Sequence, residues 1–173
     1  MKNETLIELE DNTSISLDIL DNGEKVAEMQ IYIDRNPNPS DGELFPESWF
    51  DAKNKVKPFL EILGITTFGN AKRGYGRAML QKAYEISKAN GCEGRIKVIA
   101  TWGAGTFYEH CGFVTPVPNQ IGKEGTKYFV PTAKKLEILY AKKGDFDLEI
   151  KPAKPTDWSD FDIEQFMSNA REA

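Results

Sequence analysis

The anion-binding chemistry of this chain is concentrated in residues 71–80, "AKRGYGRAML". Gly74 and Gly76 stand one residue apart, flanked by Lys72, Arg73 and Arg77, and the chain then runs straight into a helix-forming stretch. The N–H groups at a helix N-terminus lack partners and carry partial positive charge, so anions bind there. Glycine lets the backbone come close to such an anion. Two readings stand side by side: a cradle for a phosphate-bearing ligand, or a glycine turn that opens a helix. The G-x-G is too short for a dinucleotide fingerprint and is not followed by the Gly-Lys-Ser/Thr of a Walker loop. Other reactive groups are few. A lone histidine, His110, excludes a multi-histidine metal centre and reads as a helix-surface residue. Cys92 and Cys111 have no metal-type spacing and read as two reduced thiols.

The loop needs a strand before it and a helix after it, and the sequence supplies both. Residues 60–68, "LEILGITTF", are mostly apolar and β-branched, as in a strand buried on both faces. Gly64 within that run signals a bulge or a close backbone approach. After the loop, Met79, Leu80, Ala83, Tyr84 and Ile86 form one helical stripe that Asn90-Gly91 ends. A strand at 95–101 and a short helix within 103–113, stopped by Gly112, complete the unit.

Upstream, residues 4–10 and 14–20 alternate apolar and polar side chains, and "DNGEK" joins them to a further strand at 26–34 through an Asn22-Gly23 turn. Residues 35–48 read as a loop leading to Trp49, Phe50 and a helix to about residue 58. Residues 127–142 read as strand from Leu136, Ile138 and Tyr140. The expected class is α/β (α+β): a mixed, mainly antiparallel sheet holding a strand–glycine loop–helix–strand–helix unit. A domain over 1–144 is expected, with an extension over 145–173 whose helix, carrying Trp158, Phe161, Phe166 and Met167, packs on the domain or binds a partner.

The 173 residues suffice for one well-buried core, and 40% hydrophobic with 28% charged residues is ordinary for a soluble protein. There is no apolar run of about 18 residues, and the opening "MKNETLIELEDN" has no apolar secretory core. A cytoplasmic protein without a membrane partner is the expectation. The net charge of −5 argues against nucleic acid, whose phosphates demand a basic surface.

"GITTFGNAKRGYGRAML", followed about thirty residues later by "GAGTFYEHCGF", resembles the GNAT superfamily of acyl-CoA N-acyltransferases over roughly residues 58–114. In that family a Q/R-x-x-G-x-G/A loop holds the pyrophosphate of coenzyme A through backbone N–H groups, and a later helix ends in a Tyr…Gly-Phe signature. Ala71 stands where Gln or Arg is usual. The resemblance implies acetyl-CoA as cosubstrate, no metal, and direct attack of a primary amine on the thioester. Its coenzyme-binding residues fall on Ile65, Thr66, Thr67, Lys72, Arg73, Gly74, Tyr75, Gly76 and Arg77. Tyr108 matches the tyrosine that protonates the leaving thiolate, against the alternative of a packing tyrosine. Glu61 is the candidate base acting through water, against a solvent-facing glutamate, with Glu109 behind it.

The helix pair that shapes the family's acceptor pocket has no room between the first strands, and the insert 35–59 with Phe45, Trp49 and Phe50 stands in for part of it. Asp41, Glu43, Glu47 and Asp51 suit a cationic amine. The expected partners are thus an acyl-CoA and an amine acceptor, small or protein-borne, with a homodimer allowed. The competing readings are a catalytically degenerate acyl-CoA-binding scaffold and a protein that holds a nucleotide on the same loop.

Overall fold

Alternating side chains and a turn with both central residues at positive φ, Asn22 at 53° and Gly23 at 82°, build a tight hairpin from β1 (Ser14–Asp21) and β2 (Glu24–Asp34). A computed structural model describes residues 14–39, 43–68, 74–101, 104–116, 121–122, 124–141 and 148–152. The first expected strand, residues 4–10, and the expected C-terminal helix lie outside these residues. β3 (Phe59–Thr67) pairs antiparallel with β2, and β4 (Ile96–Ala100) lies parallel to β3. β5 (Gly125–Phe129) closes one edge against β4, and β6 (Leu148–Pro152) closes the other against β1. Among the described residues the sheet is six-stranded in the order β5-β4-β3-β2-β1-β6, with β3–β4 its one parallel pairing. This is the mixed, mainly antiparallel α+β class that the sequence implies.

Among the described residues three helices cover one face: α1 (Tyr75–Ala89), α2 (Gly105–His110) and α3 (Ala133–Tyr140). The parallel β3–β4 step requires a crossover, and α1 is that crossover. Its stripe of Met79, Leu80, Ala83, Tyr84 and Ile86 is buried against Leu17, Met29, Ile31, Leu60, Ile62 and Val98 of the sheet. On the opposite face the insert packs a second, smaller core in which Phe45, Trp49 and Val56 meet Phe59 and Tyr128. Among the described residues no helix is long and apolar enough to cross a membrane.

Two segments differ from the sequence reading. The expected helix from Trp49 to about residue 58 is one 3-10 turn, Glu47–Trp49, followed by a small hairpin bridged at Phe50 and Val56. The Asp51 carboxylate accepts the N–H groups of Lys53 and Lys55, and Asn54 sits at a φ of 62°, so local side-chain bonding holds a turn where a helix would run. The second half of the expected strand at 127–142 is α3. The Thr132 hydroxyl caps it by accepting the Lys135 N–H, and the buried residue is Leu139, three on from Leu136, which obeys the helical period. Within the expected extension, residues 148–152 form strand β6, paired with β1.

Candidate functional site

β3 and β4 pair over only three positions, Leu60–Ile96, Glu61–Lys97 and Ile62–Val98. Directly after Ile62 the register of β3 against β2 shifts, leaving Leu63 as the extra residue beside Gly64. That is the bulge that Gly64 signals in the sequence. From there β3 runs on to Thr67 and β4 to Ala100 without pairing to each other, so the sheet is split open at the C-terminal ends of its two parallel strands. Ile65, Thr66 and Thr67 are on the β3 side of the split, held from behind by Met29, Glu28 and Ala27 of β2. Their edge toward β4 has no strand on it, which is the geometry that an extended ligand arm can fill by strand-like pairing.

α1 opens at the same end of the sheet. Gly74 is its N-cap, at a φ of 111° that side chains rarely adopt, and the Ala78 N–H closes the first turn onto the Gly74 carbonyl at 3.0 Å. The N–H groups before Ala78 therefore have no partner within the helix. Gly76 is needed for a different reason: a Cβ there would meet Cζ of Phe107 at 2.7 Å. The second glycine thus lets α2 press against the first turn of α1. Tyr75 is buried and donates its hydroxyl to Asp21 at 2.6 Å, and that bond, with burial, pushes its pKa to about 12. Arg77 Nη1 donates to the carbonyls of Ile138 at 2.5 Å and Leu139 at 3.3 Å, and Gln81 joins it at 2.9 Å. Arg77 therefore serves the negative C-terminal end of α3. Lys72 and Arg73 lie outside the described residues.

Tyr108 follows Phe107 on α2 and is buried in the helix-side core, its ring 5.2 Å from that of Phe107 and 5.5 Å from that of Phe113. Burial pushes its pKa up to about 12, so the hydroxyl is protonated at neutral pH. Its neighbour Glu109 has another task. Both carboxylate oxygens accept the Gly122 N–H, at 2.7 and 2.9 Å, and one takes Lys127 Nζ at 2.9 Å. The Gly122 N–H first, and Lys127 after it, hold the Glu109 carboxyl below its ordinary value. A carboxylate so engaged is a poor proton acceptor. Cys111 and Cys92 are wholly buried, and burial raises both thiols, that of Cys92 to about 11. Neither has the thiolate character of a nucleophile. His110 is exposed on the surface of α2.

Glu61 is on the opposite face of the sheet from Tyr108. A cross-strand row runs Tyr32–Glu61–Lys97–Tyr128 through the registers of β2, β3, β4 and β5. Lys97 Nζ is 3.3 Å from the Glu61 carboxylate and 2.9 Å from that of Glu43. Burial alone would lower the Lys97 pKa, but the Glu43 hydrogen bond and the Glu61 charge together raise it. Asp34, two residues beyond Tyr32, is raised chiefly by burial. Leu63 and Ile99, on the strands that carry Glu61 and Lys97, are exposed beside this cluster. The helical side of the sheet thus buries a protonated phenol, and its other face sets the carboxylates of Glu43 and Glu61 on the Lys97 ammonium.

The Gly76–Phe107 contact brings the first turn of α1, with Gly74, Tyr75 and Gly76, against the helix that carries Tyr108, and Ile65, Thr66 and Thr67 line the split. The sequence reading missed Lys97 and the reach of Glu43. The signal was there: "RIKVIA" puts a lysine in mid-strand among apolar residues, and "LEILG" does the same with a glutamate on the adjacent strand. Among the described residues no group of three or more His, Cys, Asp or Glu is placed to hold a metal ion.

No protein-family model and no curated protein matches the chain. Among solved structures it is similar to the Bacillus subtilis N-acetyltransferase YlbP in complex with coenzyme A, with 21% identity over 68% of either chain and a TM-score of 0.45. It is also similar to AtaTR bound with AcCoA, with 19% identity over 68% of this chain and 67% of that one and a TM-score of 0.39.

Proposed function

We propose that the protein is a cytoplasmic acetyl-CoA-dependent N-acetyltransferase that transfers the acetyl group to a primary amine by direct attack on the thioester. The observation that carries this reading is the split between β3 and β4 immediately after the Leu63–Gly64 bulge, with α1 opening from a left-handed glycine at the same end. In this reading the pyrophosphate rests on the N–H groups around Gly74, Tyr75 and Gly76, with Lys72 and Arg73 flanking it and Arg77 fixing the helix behind. The pantetheine arm runs along Ile65, Thr66 and Thr67. The thioester then stands at the bulge, where a backbone N–H stabilises the oxyanion.

The amine enters from the carboxylate face. A lysine-like amine with a pKa near 10.4 is about one part in a few thousand neutral at pH 7, so a base must accept its proton, and Glu61 does so through water. The amine nitrogen bonds to the acyl carbon, the carbon–sulfur bond breaks, and the sulfur leaves toward Tyr108.

The test is release of free thiol from acetyl-CoA against a panel beginning with polyamines and lysine peptides. Turnover that falls about a hundredfold in Glu61→Gln, with coenzyme binding retained, is the expected result. A second reading is favoured by the 3.3 Å pairing of Glu61 with Lys97, which occupies the proposed base. A scaffold of that kind binds acetyl-CoA and releases no thiol with any acceptor.

A further inference from the structure

At the opposite pole of the parallel strands, where β3 and β4 begin, there is a cavity of about 410 Å³. Nine residues of β3 separate its floor from the glycine end, roughly 30 Å of strand. It is therefore distinct from the split between β3 and β4. Its walls bring together Trp49, Lys57, Tyr84, Glu93, Arg95 and Thr132. In a chain of net charge −5, two cations and one carboxylate converge here.

The side chain of Arg95 is only 5% exposed. Its Nε donates to the Pro58 carbonyl at 2.8 Å, and its two terminal nitrogens reach Glu93 at 3.3 and 3.4 Å. The Glu93 side chain is 72% exposed, and its backbone has a φ of 55°. An exposed carboxylate at that distance is a weak counter-ion, so the buried guanidinium keeps capacity for a better one. Lys57 donates to the Ser48 carbonyl at 3.4 Å, a long bond that leaves its ammonium available to a ligand.

Two further features point the same way. Trp49, 0% exposed, is one of the residues around the cavity, and its indole Nε1–H has no acceptor among the described residues. A buried indole N–H normally finds a partner. Thr132, the N-cap of α3, also lies in the wall, so the positive end of that helix faces the same space. The Tyr84 ring is fixed from the other side, because a Cβ on Gly94 would meet it at 2.4 Å. The result is a preformed apolar wall beside convergent donors, the makeup of a small-molecule site.

We propose that this cavity binds a small organic anion, a carboxylate or phosphate on an aromatic or otherwise apolar body. Its charge lies between Arg95 and Lys57, displacing Glu93, and its body lies against Tyr84 and Trp49. The inference is independent of the acetyltransferase reading, since none of the coenzyme-binding or catalytic residues named there lines this cavity.

The experiment is calorimetric titration of the full chain with phenyl phosphate, benzoate and, as a control of opposite charge, benzylamine. Saturable binding of at least one anion below about 1 mM, with none of benzylamine, is expected; which anion binds identifies the headgroup. Lys57→Glu weakens that binding roughly tenfold or more and leaves acetyl-CoA titration unchanged. Absence of binding by both anions up to about 10 mM, equal binding of benzylamine, or an unaltered affinity in Lys57→Glu would overturn the proposal.

Discussion

Tyr108→Phe is expected to lower kcat about a hundredfold while leaving the affinity for acetyl-CoA and the melting temperature nearly unchanged. The substitution removes one oxygen and keeps the ring, whose contacts with Phe107 and Phe113 are what the fold uses. The magnitude follows from what the hydroxyl does. Burial raises its pKa to about 12, whereas a thiol leaves with a pKa near 8.5. Complete transfer of the proton from phenol to thiolate is uphill by about 3.5 units, or about 5 kcal/mol.

In the proposed mechanism the phenol would therefore act by hydrogen-bonding the charge that grows on sulfur, and the proton that finally neutralises the thiolate would come from the attacking nitrogen, which carries a surplus proton once bonded to the acyl carbon. It follows that the kcat profile has no limb from Tyr108 below about pH 10. Single-turnover thiol release across that range checks both points. An unchanged kcat in Tyr108→Phe would reduce the residue to packing.

The largest effect on stability is expected from Glu109→Gln. Lys127 is 0% exposed, and its ammonium rests on the Glu109 carboxylate at 2.9 Å and the Thr115 hydroxyl at 2.7 Å. Removing the charge from one partner of a buried pair strands the other, at a cost of about 3–5 kcal/mol. Thr115 remains in place, so the lower figure applies, and for a chain of this size about 3 kcal/mol is roughly 10 °C of melting temperature. The double variant Glu109→Gln/Lys127→Met should recover most of the loss, because it leaves no buried charge alone.

The pH dependence has a definite sign. The folded-state pKa of Glu109 lies below its ordinary 4.5, through the Gly122 N–H first and Lys127 second. Its contribution is present in full above that ordinary value and disappears as pH falls through the folded one. Wild type and Glu109→Gln should differ most near neutrality and converge only as pH falls through the folded-state pKa, which lies below 4.5. A gap that stays constant into acid would mean that packing, and not the ion pair, sets the difference.

Much of the architecture was legible in the sequence because local signals agreed with tertiary demand. Asn22-Gly23 specified a hairpin turn, Gly64 a bulge, and the stripe from Met79 to Ile86 a helix with one buried face. The misses share a physical cause. Leu136, Ile138 and Tyr140 alternate as a strand would, but Thr132 offered a cap, and Leu136 with Leu139 offered the competing helical period. The run from Trp49 to about residue 58 reads as a helix, yet Asp51 diverted the backbone into a turn. At the site, the glycines were readable and their separate duties were not. Gly74 answers to a backbone angle and Gly76 to the ring of Phe107, thirty-one residues away in sequence. The Lys97 cluster was hidden for a similar reason, since it draws on β3, β4 and the insert, and no local pattern shows which strands are neighbours.

Those two duties also decide which variants can test coenzyme binding. A side chain at Gly74 is strained by its φ of 111°, and one at Gly76 collides with Phe107, so either change disturbs the fold before it touches a ligand. The direct measurement is calorimetric titration of acetyl-CoA into the wild type and into Lys72→Glu/Arg73→Glu, which alters charge beside the loop and keeps both glycines. Saturable one-to-one binding at roughly micromolar Kd, weakened at least about tenfold in the double variant, is the expected result. A wild type that takes up no acetyl-CoA would contradict the acyltransferase reading and leave the glycines as a turn that opens a helix.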